Sequence, residues 1–114
     1  MKFLIVITVP PYGSPVLFSA LLIAEAVLKA EHELNIFLYG DGVWNASKNI
    51  NPALDEFQPL KKFIALSKSA KLYYCISAAA RRGVSSENAA DCFLESSLGE
   101  LAAMTAKSDR IIVL

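Results

Sequence analysis

Residues 71–84 read KLYYCISAAARRGV. Leu72, Tyr73 and Tyr74 are strand formers, and the small, alanine-rich residues after Cys75 suit a loop turning into a short helical piece that Gly83 ends. A strand feeding directly into a helix is the repeating unit of an α/β sheet, and it places the Cys75 sulfur at a strand's carboxyl end. Ligands and chemistry in open α/β sheets gather there, because N–H groups of the next segment point at whatever binds. The thiolate is the reactive form of cysteine, favoured where N–H dipoles and cations surround it, and Arg81 and Arg82 are the candidates for that positive field. Inert packing is the competing role for Cys75, since cysteine is among the most buried residue types.

A second template fits the same stretch in part. Five residues separate Cys75 from Arg81, the cysteine-to-arginine spacing of phosphatase-type phosphate loops. Such a loop closes around an oxyanion with glycines and a Ser or Thr after the arginine, whereas here Ser77 is followed by three alanines and Arg81 by Arg82. Phosphoester hydrolysis therefore ranks below sulfur chemistry, which needs only the nucleophile and a positive environment.

Upstream, Phe3 to Val9 is a continuous, β-branched apolar run, the pattern of a first strand buried on both faces of a parallel sheet. The loop PPYGSP leads into a helix expected from about Val16 to Ala30. Pro10, Pro11 and Pro15 lack the N–H donors of a phosphate cradle, and neither GxGxxG nor GxxxxGK[ST] occurs, which argues against a nucleotide or flavin module. Leu34 to Tyr39 reads as the second strand. His32, the only histidine, falls in the turn before it and is assigned no catalytic role. Gly40 to Gly42 supplies a turn, and the polar residues VWNASKNINP suggest a long surface loop in which Trp44 anchors itself or meets a partner. A helix is expected over Pro59 to Lys68, with the proline in its first turn.

Downstream of Gly83, Ser85 is positioned to cap a helix running to about Leu94 that contains Cys92, an ordinary buried thiol or, in the minority reading, a relay cysteine. Ser97 and Glu100 have capping-box spacing ahead of a helix ending near Lys107, and Arg110 to Leu114 is a terminal strand. The succession describes one α/β domain over residues 1–114: a mainly parallel, doubly wound sheet with helices on both faces and right-handed crossovers.

Composition adds bounds. Of 114 residues, 54% are hydrophobic and only 19% charged, against roughly 45–50% apolar in ordinary globular chains. That surplus points to a sheet covered on both sides and to large subunit interfaces. The formal net charge of zero supplies no basic field for gripping nucleic acid. Two cysteines make neither a metal-ligand set nor a disulfide framework, and a free thiol suits a reducing compartment, so a cytoplasmic location is expected. Pro10, Pro11 and Gly13 break the opening apolar run too early for a signal peptide, and Val16 to Leu28 is too short to span a bilayer, so no membrane association is expected.

Four segments, FLIVITVPPYGS, HEL with FLYGDGVWNA, CISAAARRGV and DRIIVL, together resemble the small DsrE/TusD sulfur-relay proteins over nearly the whole chain. The resemblance implies a DsrE-like, flavodoxin-like winding and a sulfurtransferase subunit. On the matching position, Cys75 would accept sulfur as a persulfide and pass it on; the neighbouring residues offer Arg81 and Arg82 as electrostatic support, and the chemistry needs no metal or organic cofactor. It further implies a hetero-oligomer of related DsrE-like subunits, a dimer of heterotrimers, that exchanges sulfur with small carrier proteins toward transfer-RNA 2-thiouridine or, in related complexes, in intracellular sulfur oxidation; composition alone leaves a homo-oligomer as the alternative assembly. A non-catalytic structural or regulatory subunit is the alternative. Glu31 departs from the glycine that often precedes HEL in the family, and Cys92 matches no family position.

Overall fold

The computed structural model describes all of residues 1–114. Its strands are β1 (Lys2–Ile7), β2 (Glu33–Leu38), β3 (Lys71–Cys75), β4 (Phe93–Ser96) and β5 (Arg110–Val113). They form one sheet in the order β4-β3-β2-β1-β5, with every neighbouring pair parallel. The helices are α1 (Val16–Lys29), α2 (Pro59–Leu66), α3 (Ile76–Ala80) and α4 (Leu98–Lys107), and a 3₁₀ segment covers Gly40–Ala46.

Register divides the sheet into two unlike faces. Ile5, Ile36, Leu72 and Phe93 align across β1 to β4 and are all buried, as alternation of side chains along a strand requires of a covered face. The crossovers from β1 through β4 step in one direction. With right-handed connections they put α1, α2 and α3 on this face, and α1 buries Leu17, Ala20, Leu21, Ala24 and Val27 there. The return from β4 to β5 runs the opposite way and carries α4 to the other face. There Val6 and Phe37 are buried, but the row opens outward to Leu94 at 52% and Val113 at 64% exposure. Helix α4 buries none of its own residues. The expected α/β fold with helices on both faces is therefore present, with one face thinly covered.

Two local expectations fail. The segment expected to be a helix from Ser85 to Leu94 is a turn followed by the short edge strand β4. Asn88 explains the difference: its Oδ1 accepts from the Ser85 N–H at 2.8 Å and its Nδ2 donates to the Gly83 carbonyl at 2.9 Å, offering the backbone an alternative to helical bonds. The same segment is pinned to the 3₁₀ segment, since Ala90 N–H donates to Ala46 O at 2.7 Å and Lys48 N–H to Asn88 O at 2.8 Å. The second failure concerns the supposed surface loop after Gly40. Its first half is the 3₁₀ segment, in which Gly42, Val43, Asn45 and Ala46 are buried. Asn45 makes this possible by donating from Nδ2 to Val9 O at 2.9 Å and to Gly42 O at 3.0 Å.

Glu31 adopts φ of 63°, the left-handed region where a side chain is strained and glycine is not. A tight turn between α1 and β2 thus accounts for the glycine preference at this position. Ser97 caps α4 as expected, its Oγ accepting from Glu100 N–H at 3.2 Å, but the Glu100 carboxylate accepts from Ser96 Oγ at 2.8 Å instead of closing the capping box on the Ser97 N–H.

Candidate functional site

Cys75 is the last residue of β3 and the N-cap of α3, so one peptide step separates sheet from helix at the sulfur. It lies at the carboxyl end of a strand flanked on both sides, by β2 and β4. Its side chain shares the thinly covered face with Tyr73, and its register partner on β4 is Ser96. Cys75 is 1% exposed and Ser96 is 4% exposed. Ser96 Oγ donates to Glu100 Oε2 at 2.8 Å, which ties the carboxyl end of β4 to the first turn of α4 beside the cysteine. Tyr74 points to the opposite face, where its hydroxyl donates to Glu95 Oε1 at 3.1 Å. Burial, then the hydrogen bond and charge of Glu95, push the Tyr74 phenol up to about 12.

The two arginines end differently from one another. Arg82 Nε meets Asp41 Oδ1 at 2.9 Å, and its Nη1 donates to Ala78 O at 3.0 Å. Trp44 Nε1 donates to the Arg82 carbonyl at 3.2 Å, so the 3₁₀ segment holds the far end of α3 through both Asp41 and Trp44. Arg81 is exposed at the C-cap of α3 and forms none of the chain's ion pairs. Six residues of helical rise, about 9 Å, separate its Cα from that of Cys75. Residues 76–80 are helical and do not form a cradle, which removes the geometric basis of the phosphatase-type template. Asp41, Ser96 and Glu100 were not singled out for this site from the sequence. The Ser97 to Glu100 spacing drew attention to the capping of α4, but nothing local shows that Glu100 also binds Ser96.

Cys92 stands apart, half-buried in the turn before β4, and both cysteines are free thiols. Burial pushes the Cys92 thiol up, the Asp91 carboxylate adds to the rise, and a backbone N–H only partly opposes it. Cys92 is therefore held as the unreactive thiol at neutral pH. Alkylation by iodoacetamide followed by peptide mass spectrometry should show Cys92 reacting more slowly than free cysteine at pH 7.5, with the gap narrowing as the pH rises. Equal rates at pH 7.5 would contradict that assignment.

No group of three or more His, Cys, Asp or Glu side chains converges to hold a metal ion. No helix is long and apolar enough to cross a membrane. His32 Nδ1 lies 3.2 Å from the terminal amine, far along the chain from Cys75.

Comparison with known proteins places these features in context. The family model described as DsrE/DsrF-like matches residues 1–114. Proteins named sulfurtransferase TusD are similar over 98% of this chain and 98% of their own length, at 36% identity for that of Enterobacter sp. (strain 638) and 40% for that of Buchnera aphidicola subsp. Acyrthosiphon pisum (strain 5A). The crystal structure of the ychN protein from E. coli superposes with a TM-score of 0.86 at 28% identity, covering 99% of this chain and 98% of that one. MTH1491 from Methanobacterium thermoautotrophicum, with a TM-score of 0.72 at 14% identity over 99% of this chain and 98% of its own, shares the fold.

Proposed function

The chain belongs to the DsrE/DsrF-like family and is a sulfurtransferase of the sulfur-relay type, and from this premise we propose that Cys75 is the residue that carries the sulfur. The observation that supports the assignment is the position of Cys75, at the carboxyl end of β3 and the start of α3, where α/β sheets gather their chemistry. Cys92, the other thiol, is held protonated.

In the proposed reaction the Cys75 thiolate attacks the outer sulfur of a donor persulfide, R–S–SH. The donor S–S bond breaks, R–S⁻ leaves, and Cys75–S–SH forms; no net oxidant or reductant is consumed. An acceptor thiolate then attacks the outer sulfur of Cys75–S–SH and regenerates Cys75. Because Cys75 is 1% exposed, docking of donor or acceptor has to open its surroundings, and the hydrogen bond from its register partner Ser96 to Glu100 is a link that such an opening can break. Arg81, exposed at the end of α3, is free to meet an anionic partner, whereas Arg82 serves the site by bracing α3 through Asp41.

The partners in this reading are related DsrE-like subunits and small sulfur-carrier proteins, acting in the cytoplasm on a route to transfer-RNA 2-thiouridine or in intracellular sulfur oxidation. Exposed Phe18 and Leu22 on α1, Ile76 at the start of α3 and Leu98 at the start of α4 supply apolar surface suited to subunit contacts. The burial of Cys75 also favours a second reading, a structural subunit whose partner bears the active thiol.

Incubation with a persulfide-generating desulfurase and candidate carriers, followed by mass spectrometry of the peptides, separates the two. Sulfur removable by reductant on the Cys75 peptide is the expected result. An unmodified Cys75 with every donor, in a chain that still assembles with related subunits, would hand the role to the partner.

A further inference from the structure

Beneath α4 the thinly covered sheet face holds an open groove of about 520 Å³. Its floor is Asn35 and Tyr73, its wall includes Met104, and Lys71 and Lys107 stand at one end with Glu100 at the other. The direction is set by topology: α4 runs from the carboxyl end of β4 back to the amino end of β5, antiparallel to the strands. Lys71 opens β3 and Lys107 closes α4, so both residues stand at the strands' amino ends. Glu100, in the first turn of α4, sits at their carboxyl ends beside Ser96.

The polar groups in this groove are largely unspent. The chain's three ion pairs are Lys2–Glu33, Lys62–Glu25 and Arg82–Asp41, which leaves Lys71 and Lys107 unpaired. Lys2 and Glu33, also at the cationic end, neutralise one another across 4.0 Å. The Asn35 amide and the Tyr73 hydroxyl take part in none of the side-chain hydrogen bonds, and of the Glu100 carboxylate only Oε2 is engaged, by Ser96. One end thus offers uncommitted cationic donors with the Asn35 amide level with Lys71, the other an uncommitted carboxylate oxygen, and between them lie an aromatic ring and a thioether. The volume falls within the roughly 300–1,000 Å³ of small-molecule sites. From Lys71 to the level of Cys75 is about 13 Å of extended strand, the length of about four peptide residues.

We infer that this groove binds an extended carboxylate, with its terminal anion at Lys71 and Lys107, its body over Tyr73 and Met104, and an N–H donor at Glu100. A peptide segment ending in a free carboxyl terminus has these features in this order. Charge complementarity at both ends selects its direction, with the chain running toward the lysines. The inference does not depend on Cys75 carrying sulfur.

The test uses the full chain with ¹³C-labelled methionine methyls, following the Met104 resonance while N-acetyl-tetraalanine with a free carboxyl terminus is added. A saturable shift is expected, weakened roughly tenfold by amidating the peptide's carboxyl terminus or by the double substitution Lys71→Gln with Lys107→Gln. Both lysines are exposed, so the variant should keep the parent's circular dichroism and melting curve. Absence of a saturable shift at millimolar peptide overturns the inference, as does equal binding of the amidated peptide. Acetate or inorganic phosphate binding as tightly as the tetrapeptide would reduce the site to a pair of lysines holding any small anion, and would overturn the extended ligand.

Discussion

Cys75→Ser is expected to reduce sulfur acceptance and onward transfer to background while leaving the subunit folded and able to assemble. The loss is complete in this reading because the persulfide forms on the sulfur itself, and a serine oxygen cannot hold the transferred atom through a thiol-labile S–S bond. The structural cost has to be separated from the chemical one. Cys75 is 1% exposed and belongs to the main apolar cluster, so a hydroxyl placed there loses about 1–3 kcal/mol where it finds no partner. Cys75→Ala introduces no polar group and leaves only a small void, which makes it the companion variant. Both should abolish transfer in a reconstituted relay, with Cys75→Ala melting closer to the parent. Transfer at parental rates by either variant would show that the chain supports a partner's thiol, and the burial of Cys75 would then be packing alone.

What could be read from the sequence depended on how local the cause was. β1, β2 and β3 are apolar runs whose composition is enough to call strands, and the Ser97 cap of α4 is written in residues three apart. Ala89, Ala90, Phe93 and Leu94 also have helical spacing, yet they lie in a turn and an edge strand. What decides there is Asn88 bonding back to residues 83 and 85, and the pairing of Ala89 with Ser47, 42 positions away in the chain (89 less 47). The candidate site divides in the same way. The position of Cys75 at a strand-to-helix junction was legible from a strand, a cysteine and small helix-forming residues in sequence. The commitment of Arg82 to Asp41 was not, because it depends on how the 3₁₀ segment folds against α3. A polar string such as VWNASKNINP looks like surface until Asn45 is seen to spend its amide on Val9 and Gly42.

The 3₁₀ segment is also where a small change should do the most structural damage. A Cβ added at Gly42 would lie 2.0 Å from the carbonyl oxygen of Ile7 and 2.8 Å from its carbon, and both are backbone atoms at the end of a central strand. No rotamer change relieves such a clash. Ile7 O is already fixed by the Tyr39 N–H at 3.0 Å, and Gly42 N–H is fixed to Tyr39 O at 2.9 Å, so strand and segment are stapled through one residue. Gly42→Ala must therefore shift β1 or lift the 3₁₀ segment away, at a cost of about 3 kcal/mol or more, the upper range for overpacking. Lifting the segment also moves Asp41 and Trp44, which hold Arg82 and the end of α3. Chemical denaturation should show the lost stability directly, and alkylation of Cys75 should become faster as α3 loses its brace. Stability within about 0.5 kcal/mol of the parent would mean that the end of β1 yields easily at Ile7. Unchanged Cys75 reactivity in a destabilised variant would mean that the 3₁₀ segment supports the fold without controlling access to the sulfur.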